Sequence, residues 1–485
     1  MITLLQYQLD HVKKLQNILD KYNYAFDFSM MGTGKTYTAS YISNGYNNVI
    51  VICPVSVIEK WSLMKKEYGI NIIDIISYNS SRSVKDCQPH HGYLTRKEIN
   101  NSCEFEITEK YIDIIKKGIL LIVDEIQFIK NINGQYLSCK ALIKPIIMNT
   151  INKCGVLLLS GSPLDKKEHV LNLFKLLNIM KSNELSVYSI ASGKNEWKGF
   201  NEILNYSKSI NPQCYIKTPE YNTGKHDEFI DSIFNIFTYI IKPHLSSCMI
   251  QHEKDVELYK YNYYCNIENK QNYDELTKSI KELENIFSES NITSATNGIE
   301  TLKIINKSLI NIETAKITTF ARIAEKMLNN DINCRVIICV NYNNTISQLN
   351  TILRKHDPLI LNGEVNYKER AKIISLFQSN TTHRIIIGNS QVCSTGIDLD
   401  DKNGNYIRHC LINPNYSTIT LYQLSQRFYR SDTKSDAFVY FIFGKHACEL
   451  KILKSLCNKS NVMKHITPEQ VQYCGFPSDY INKYE

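Results

Sequence analysis

The stretch YAFDFSMMGTGKTYTASYI, residues 24–42, decides the fold of the first part of this chain. Residues 24–28 are predicted to form a short strand, and residues 37–42 are predicted to start a helix. Between them, Gly32 and Gly34 leave the backbone N–H groups free to turn inward on phosphate oxygens. A loop at a helix N-terminus favours an anion, because the helix dipole is positive there. The alternative is an ordinary glycine turn with a surface lysine.

Two side chains of this loop suit a nucleoside triphosphate bound with Mg²⁺. Lys35 would neutralise the β- and γ-phosphates, and the Thr36 hydroxyl would coordinate the metal. Thr33 belongs to the same predicted phosphate cradle. The strict phosphate-loop pattern begins with a glycine, and this chain has Ser29 there.

A continuous apolar run at residues 118–123 predicts a central parallel strand that is buried on both faces. The run ends in Asp124 and Glu125, and functional residues of open α/β sheets cluster at such carboxyl ends. Asp124 would hold Mg²⁺ through water, and Glu125 would polarise the attacking water. The alternative is a solvated acidic turn, and the presence of Lys35 at a plausible upstream spacing argues against it.

Further short segments follow in a characteristic order, and with them the chain resembles the superfamily 2 helicases, specifically the Swi/Snf-type ATPases. In the first part these segments are YQL at 7–9, ICPVSVIEKW at 52–61, DEIQFIKN at 124–131 and LLLSGSPL at 157–164. In the later part they are CNIENKQNYDEL at 265–276, RVIICV at 335–340, NGE at 362–364 with Arg370, STGIDL at 394–399 and QLSQRFYR at 423–430. The chain departs from the family pattern in DEIQ, in SGS and at Gln426, where many relatives have glycine.

The resemblance implies roles for four more residues. Gln8 would read the adenine edge, and Asp398 would hydrogen-bond the ribose hydroxyl. Arg427 and Arg430 would point at the γ-phosphate as arginine fingers. Their spacing also predicts that both share one helix face with Gln423. The alternative is a pair of surface helix arginines that bind Asp432 or bulk anions.

The implied activity is ATP hydrolysis coupled to translocation on, or remodelling of, nucleic acid, with DNA favoured over RNA. Closure and opening of two lobes would alternate two grips on a phosphate backbone, and such grips contact phosphate without reading sequence. The candidate grips are considered as a group: Ser56, Ser77, Asn79, Ser162, Asn341, Asn362, Gly363 and Ser394. The alternatives are an RNA helicase or viral transcription-linked ATPase, a non-catalytic binding module on the same fold, and an unrelated phosphate-loop enzyme such as a kinase.

The expected fold class is α/β, with two RecA-like parallel-sheet lobes in tandem and a helical insertion between them. We expect an ATP-binding lobe at residues 1–165, a mostly helical insertion at 166–312, a helicase lobe at 313–454 and a cap at 455–485. Helices are predicted at 168–180 and 273–288, with a polar loop at 288–298. The insertion could contact a duplex or a protein partner.

Composition narrows the class of protein. The 485 residues carry a formal net charge of +8, which is compatible with nucleic acid but also with many other proteins. No apolar run approaches twenty residues, and no secretion signal is visible at the start, so we expect neither a membrane span nor export. Fifteen cysteines without paired spacing indicate reduced thiols in the cytoplasm or nucleus. The bias towards Asn, Ile, Lys and Tyr suits a large DNA virus, in which case the expected locations also include the virion or a viral replication site. The sequence does not indicate an oligomeric state.

Cys87, His90, His91 and Cys103 fall within one loop-like stretch and raise the question of a zinc site. The stretch has no Cys-x-x-Cys pair. A polar surface insertion is therefore the favoured interpretation.

Overall fold

The computed structural model describes residues 2–82, 91–99, 102–149, 151–189, 194–214, 216, 226–250, 255–266, 278–279, 281–282, 295–379 and 382–468. The chain divides into two compact units. The first contains Met1–Gln251 and Val462–Val471, and the second contains His252–Asn461 and Gln472–Glu485. Each unit is built on its own six-stranded sheet.

The sheet of the first unit is parallel throughout, in the order β10-β1-β7-β6-β2-β3. Its strands are β1 (Tyr24–Asp27), β2 (Asn48–Cys53), β3 (Ile72–Ser77), β6 (Ile119–Asp124), β7 (Gly155–Leu159) and β10 (Ser246–Ser247). The helices up to β7 are α1 (Gln6–Tyr22), α2 (Lys35–Ser43), α3 (Ile58–Tyr68), α4 (Tyr78–Arg82), α5 (Glu109–Lys116) and α6 (Gly134–Ile147). Because parallel strands need crossovers, the helices cover the sheet, and β6 is buried along its whole length.

Two antiparallel hairpins and further helices complete the first unit. The hairpins are β4 (Leu94–Ile99) with β5 (Ser102–Ile107), and β8 (Val187–Ser189) with β9 (Lys194–Glu196). The helices are α7 (His169–Leu176), α8 (Lys198–Ile210), α9 (His226–Asn235) and α10 (Lys242–Leu245), with a π-helical stretch at Ile236–Ile241. Their apolar faces join the core of the first sheet, where Phe200 and Phe237 are fully buried.

The sheet of the second unit is also parallel throughout, in the order β11-β16-β15-β12-β14-β13. Its strands are β11 (Leu258–Cys265), β12 (Arg335–Val340), β13 (Leu359–Leu361), β14 (Ile385–Asn389), β15 (Arg408–Ile412) and β16 (Ala437–Gly444). Its helices are α11 (Ala295–Thr314), α12 (Ile317–Asn330), α13 (Asn343–Ile352), α14 (Tyr367–Ser379), α15 (Ser390–Ser394), α16 (Thr418–Ser425) and α17 (Ala447–Ile466), of which the residues from Val462 onward belong to the first unit. One face of the sheet packs on α12 and the other on α14 and α16, which gives the unit two apolar layers.

The predicted α/β class with two parallel-sheet lobes in tandem is confirmed. The strands predicted at 24–28 and 118–123 are found as β1 and β6, within one residue of their expected bounds. Among the described helices, none is both long and apolar enough to cross a membrane.

The region predicted as a mostly helical insertion is more varied than expected. It contains helices α7 to α10 and α11, but also the strands β10 and β11, each of which joins a sheet. The prediction of a loop at 288–298 is wrong from residue 295 onward, because α11 begins there. Most of the helix predicted at 273–288 lies outside the described residues. The proposed boundaries at 165/166, 312/313 and 454/455 stay predictions.

Candidate functional site

The glycine loop lies where the sequence predicts it, between the end of β1 and the start of α2. Gly32 has φ 82° and Gly34 has φ 97°, both in the left-handed region that favours glycine. A Cβ at Gly34 would also collide with Nε2 of Gln8. Backbone conformation and close packing therefore both require glycine at position 34.

Lys35 opens helix α2, and the loop backbone holds its ammonium. Nζ donates to the carbonyl oxygens of Ser29, at 2.8 Å, and Met30, at 3.0 Å. The Thr33 hydroxyl donates to the same Met30 oxygen at 2.8 Å. Thr36 lies buried in the first turn of the helix. A phosphate would give the lysine anionic acceptors in place of neutral carbonyls, and charge-assisted hydrogen bonds are the stronger kind.

Gln8 supports the loop from helix α1. Its Nε2 donates to the carbonyl oxygen of Thr33 at 3.0 Å, and its Oε1 accepts from the backbone N–H of Leu5 at 3.0 Å. The side chain is largely buried, so these two bonds fix the amide beside the loop. Its role in reading adenine stays a prediction.

Asp124 ends the buried strand β6 and is itself 6% exposed. Its Oδ2 accepts a hydrogen bond from Nε1 of the buried Trp61 at 2.9 Å. Burial, and then the neighbouring charge of Glu125, raise the pKa of Asp124 to about 6. A buried carboxylate with a disfavoured charge fits a divalent cation, because the cation restores the balance of charge. Asp124 and the Thr36 hydroxyl are the residues that would hold Mg²⁺.

Glu125 adopts a left-handed backbone conformation with φ 61°, which is uncommon outside glycine and asparagine. Nε2 of Gln127 donates to its Oε2 at 2.6 Å, and Oγ of Ser160 donates to Oε1 of Gln127 at 2.6 Å. The Ser160 oxygen in turn accepts from the backbone N–H of Ser162 at 3.0 Å. A chain of hydrogen bonds thus connects the predicted catalytic carboxylate to the turn after β7. Sequence reasoning assigned no role to Gln127 or Ser160, although both belong to the motifs it identified.

Three neighbouring strands bring these groups together. In the order β1-β7-β6, Asp27 and Asp124 both lie beside Leu159 in register, so the three carboxyl ends meet at one edge. At this edge a Cβ on Gly161 would lie 3.5 Å from Nζ of Lys35. The first unit therefore collects Lys35, Thr36, Asp124 and Glu125 at one edge of its sheet.

A buried polar group beneath the loop escaped sequence reasoning. Asp27 is fully buried; its Oδ1 accepts from the backbone N–H of Ser29 at 2.9 Å, and its Oδ2 lies 3.1 Å from Nε2 of His11. Nδ1 of His11 lies 2.8 Å from Oγ of Ser247 on β10. Burial alone would raise the pKa of Asp27. The charge of His11 and its hydrogen bond to the carboxylate outweigh the effect of burial, so the pKa is lowered. The available signal was an aspartate inside an otherwise apolar strand.

In the second unit, Asp398 brings Arg427 and Arg430 together. Its Oδ1 lies 3.0 Å from Nη2 of Arg430 and 3.8 Å from Nη1 of Arg427. Arg427 is further held by the carbonyl oxygens of Ser394, at 2.8 Å from Nε, and Ile397, at 3.2 Å from Nη1. Asp398 is about half exposed, so it can exchange partners more easily than a buried carboxylate can.

The prediction that Gln423, Arg427 and Arg430 share a helix face is wrong. Helix α16 ends at Ser425; Arg427 follows in a turn, and Arg430 lies outside any helix or strand. The physical reason is that the backbone of Arg427 pairs elsewhere: its carbonyl oxygen accepts from the N–H of Leu399 at 2.9 Å. The roles predicted for Arg427, Arg430 and Asp398 towards a nucleotide stay predictions.

Glu313, at the end of α11, organises the carboxyl ends of β12 and β15. Its Oε2 accepts from the backbone N–H of Asn341 at 2.8 Å, from Nδ2 of Asn341 at 2.9 Å and from Nδ2 of Asn413 at 2.7 Å. Its Oε1 accepts from the N–H of Tyr342 at 3.1 Å. This fully buried carboxylate fixes Asn341, one of the predicted phosphate grips. The sequence offered no signal for it, because Glu313 lies on a helix far from any motif.

The other predicted grips differ in exposure. Ser162 and Ser394 are each 1% exposed, and the Ser394 hydroxyl donates to the carbonyl oxygen of Gln391. The more accessible candidates are Ser56, Ser77, Asn79, Asn341, Asn362 and Gly363. Contact with nucleic acid stays a prediction for the whole group.

The Cys/His stretch lies partly outside the described residues, which exclude Cys87 and His90. His91 is buried; its Nδ1 accepts from the backbone N–H of Tyr93 at 3.1 Å, and its ring stacks on that tyrosine. Cys103 is half-buried on β5. Within the described part of the chain, no group of three or more His, Cys, Asp or Glu residues could hold a metal ion.

Comparison with known proteins gives two sequence matches. Residues 316–432 match the family model of the Helicase conserved C-terminal domain. A protein of Acanthamoeba polyphaga mimivirus named "Putative ATP-dependent RNA helicase L364" is 25% identical over 474 residues, which cover 94% of this chain and 82% of the relative. These matches agree with the resemblance to superfamily 2 helicases and with a viral relative.

Among solved structures, the chain is similar to the Sulfolobus solfataricus SWI2/SNF2 ATPase core in complex with dsDNA. The TM-score is 0.32 at 15% identity, with 99% of this chain and 98% of the other covered. The Sulfolobus solfataricus SWI2/SNF2 ATPase core domain is matched at a TM-score of 0.33 and 16% identity, covering 96% of this chain and 91% of the other. Since both scores are below 0.5, the fold assignment rests on the sheet topology given above.

Proposed function

We propose that this protein is a nucleic-acid-dependent ATPase of the superfamily 2, Swi/Snf-like kind, which couples ATP hydrolysis to translocation on, or remodelling of, DNA. The observation that carries the proposal is the cluster at one edge of the first sheet. Lys35, Thr36, Asp124 and Glu125 meet there beside a loop whose Gly32 and Gly34 have positive φ. The helicase C-terminal match to residues 316–432 supports it for the second unit.

The residues of the first unit divide the chemistry among them. The loop N–H groups and Lys35 bind the phosphates, and Thr36 with Asp124 holds the metal. Glu125 accepts a proton from, and orients, the attacking water. Bound Mg²⁺ supplies charge neutralisation to the β- and γ-phosphates. Trp61 orients Asp124 through its 2.9 Å hydrogen bond.

The second unit supplies the positive charge that a phosphoryl-transfer transition state needs. Arg427 and Arg430 already converge on one carboxylate oxygen of Asp398, which shows that their guanidinium groups can share an anionic partner. We propose that in turnover the γ-phosphate takes the place of that carboxylate. Arginine fingers of this kind contribute roughly 10³–10⁵ in rate.

RNA is the second candidate track. The mimivirus relative is named as an RNA helicase, and it aligns with 94% of this chain. The choice between DNA and RNA depends on contacts to the sugar, because the 2′-hydroxyl is what distinguishes the two polymers at a given site.

ATP hydrolysis by the purified protein, with and without single-stranded DNA, double-stranded DNA and RNA, tests the proposal. We expect stimulation by DNA, and loss of turnover in Glu125→Gln with ATP binding retained. Arg430→Ala should lose turnover in the same way, and Arg322→Ala, an exposed arginine on α12, is the matched control. Stimulation by RNA alone would move the proposal to the second track. Equal slow turnover in every condition and variant would refute a motor.

A further inference from the structure

Two arginines occupy paired positions at the amino ends of neighbouring strands in the second sheet. Arg335 begins β12 and Arg408 begins β15, and the two are directly paired in register. Both residues are almost fully buried, with 3% of the surface of Arg335 and 1% of that of Arg408 exposed. They line a cavity of about 160 Å³ together with Phe377, Gln378 and Tyr406. The proposed ATPase function assigns no role to this cavity.

Arg408 is largely occupied by structural bonds. Its Nε donates to the carbonyl oxygen of Leu399 at 3.0 Å, its Nη1 to that of Tyr406 at 3.2 Å and its Nη2 to Oε1 of Gln378 at 2.9 Å. Asp401 lies 4.0 Å from Nη2 and partly balances the charge. Burial lowers the pKa of Arg408 to about 10. Arg408 therefore gives the cavity a fixed positive wall.

Arg335 differs because one edge of its guanidinium is unused. Nη1 donates to the carbonyl oxygens of Asn333, at 3.2 Å, and Cys334, at 3.1 Å. Across the described residues, no acceptor bonds Nε or Nη2, and no carboxylate lies within 4.0 Å of the group. The Nε and Nη2 donors form the edge that an arginine uses for bidentate binding of carboxylate or phosphate.

The position of this open edge is fixed. The guanidinium carbon of Arg335 lies 4.5 Å from the ring centre of Tyr406, and that of Arg408 lies 5.1 Å from the ring centre of Phe377. Stacking of this kind fixes the plane of each guanidinium group against its own ring. Burial lowers the pKa of Arg335, and the charge of nearby Arg384 adds to the effect. An anion in the cavity would relieve this repulsion.

The charges of the surroundings favour an anion over a neutral ligand. The described residues that line the cavity include two arginines and no acidic side chain. Asp401, the carboxylate nearest Arg408, is committed to the loop: its oxygens accept from the N–H groups of Asn403, Gly404 and Tyr406 and from the Ser435 hydroxyl. The cavity is several times the roughly 30 Å³ that one water occupies in the liquid. It thus has room for an oxyanion and an attached small group.

We propose that this cavity, between the starts of β12 and β15, binds a small phosphate-bearing anion through the free edge of Arg335. Inorganic phosphate and a nucleoside monophosphate share the chemistry that the cavity would recognise. The site is separate from the phosphate loop of the first unit and does not depend on the proposed ATPase function.

Equilibrium dialysis with labelled phosphate and labelled AMP tests this site in the full chain. Lys35→Ala serves as the background, because it removes the main cation of the phosphate loop. We expect one equivalent of ligand to bind, and the added change Arg335→Gln to weaken binding at least tenfold. Arg322→Gln makes the same charge change on an exposed face of α12 and should leave binding unchanged.

If the Arg335→Gln protein does not fold, Arg335→Lys tests the same site. The lysine keeps the charge but loses the bidentate edge, so binding should still weaken several-fold while the unfolding temperature stays near that of the background. Competition between phosphate and AMP for one site supports free phosphate as a sufficient ligand, and binding of AMP alone supports a phosphate ester. Absence of binding at millimolar ligand, or binding that survives both changes at Arg335, would overturn the proposal.

Discussion

Ser160 donates a hydrogen bond from its Oγ to Oε1 of Gln127 across 2.6 Å. Because Nε2 of the same amide donates to Glu125, the end of β7 and the predicted catalytic carboxylate are connected through one side chain. A shift of the turn after β7 would therefore reorient Glu125. The sequence departs from relatives at this glutamine, and the structure gives it a definite task.

Gln127→Ala should lower ATP turnover by about tenfold, the equivalent of about 1.4 kcal/mol for one lost hydrogen bond to a charged group. The Michaelis constant for ATP should change little, because Gln127 does not belong to the phosphate loop. Steady-state kinetics measures both constants. Gln6→Ala, which removes an exposed amide bonded to Asp10, is the control and should have no effect. The double variant Ser160→Ala with Gln127→Ala should lose little more ATP turnover than either single variant, because both residues belong to one hydrogen-bond chain.

Trp61→Phe should shift the acid limb of activity to higher pH. The indole N–H stabilises the ionised form of Asp124, whose pKa burial and Glu125 raise to about 6, so loss of this donor raises the pKa further. In the proposed function, protonation would compete with Mg²⁺ for the carboxylate, and kcat/KM reports the free enzyme. We expect kcat/KM to fall below about pH 6 in the wild type and at higher pH in the variant. Trp197→Phe, the same change at the chain's other tryptophan, should leave the profile in place; an unchanged profile in Trp61→Phe would contradict this role.

Asp165→Asn should destabilise the first unit by about 3 kcal/mol, the usual cost of removing one partner from a buried ion pair. Oδ1 of Asp165 lies 2.6 Å from Nζ of Lys130 and 3.2 Å from Nδ1 of His169. Burial alone would raise the pKa of Asp165, but His169 and Lys130 outweigh it and hold the pKa well below its usual range. A lowered pKa gives stability that is complete above the unfolded-state value and is lost as pH falls through the folded-state value.

The difference between wild type and Asp165→Asn should therefore be constant from pH 7 to pH 5 and shrink below about pH 4. Urea denaturation at several pH values measures it. Asp113→Asn removes an exposed partner of Lys116 and should change nothing measurable. A difference that grows on acidification would show that the pair does not stabilise the fold.

Glu313→Gln should weaken the second unit and its binding of nucleic acid. The new amide places an NH₂ group against donors from Asn341, Tyr342 or Asn413, and one unsatisfied buried donor costs about 1–3 kcal/mol. We expect the polymer concentration for half-maximal ATPase stimulation to rise several-fold, with unstimulated turnover nearly unchanged. Glu325→Gln removes the carboxylate that lies near Lys355 and His356, away from Glu313, and serves as the control. If both variants gave the same ATPase stimulation curve, Glu313 would have no part in polymer binding.

Apolar runs predicted most of the fold, because a parallel strand buried on both faces has few alternatives. The run before Asp124 became β6, and those at the starts of motifs became β7 and β12. Strands without such runs escaped prediction. β10 is only Ser246–Ser247, and β11 is a tyrosine-rich edge strand, so neither has an apolar pattern.

The candidate site was predictable where its residues lie at strand ends in known motifs, as with Lys35 and Asp124. Residues that act through another side chain were not predictable. Glu313 reaches its partners from a helix that carries no motif, and His11 lies on α1 outside the YQL segment; only the tertiary fold brings them close to their partners. The helix face predicted for Arg427 and Arg430 failed because spacing alone does not say where a helix ends.

The first unit includes Val462–Val471, which the ribosome reaches only after residues 252–461 of the second unit. Nζ of the buried Lys242 donates to the carbonyl oxygen of Ile466 at 2.7 Å, and Ile466 itself is fully buried in the first core. The larger segment of the second unit, His252–Asn461, is synthesised between these partners. Domains usually fold as they emerge, in order from the N-terminus. Here the first unit lacks Ile466, one residue of its core, until the chain has passed through residues 252–461.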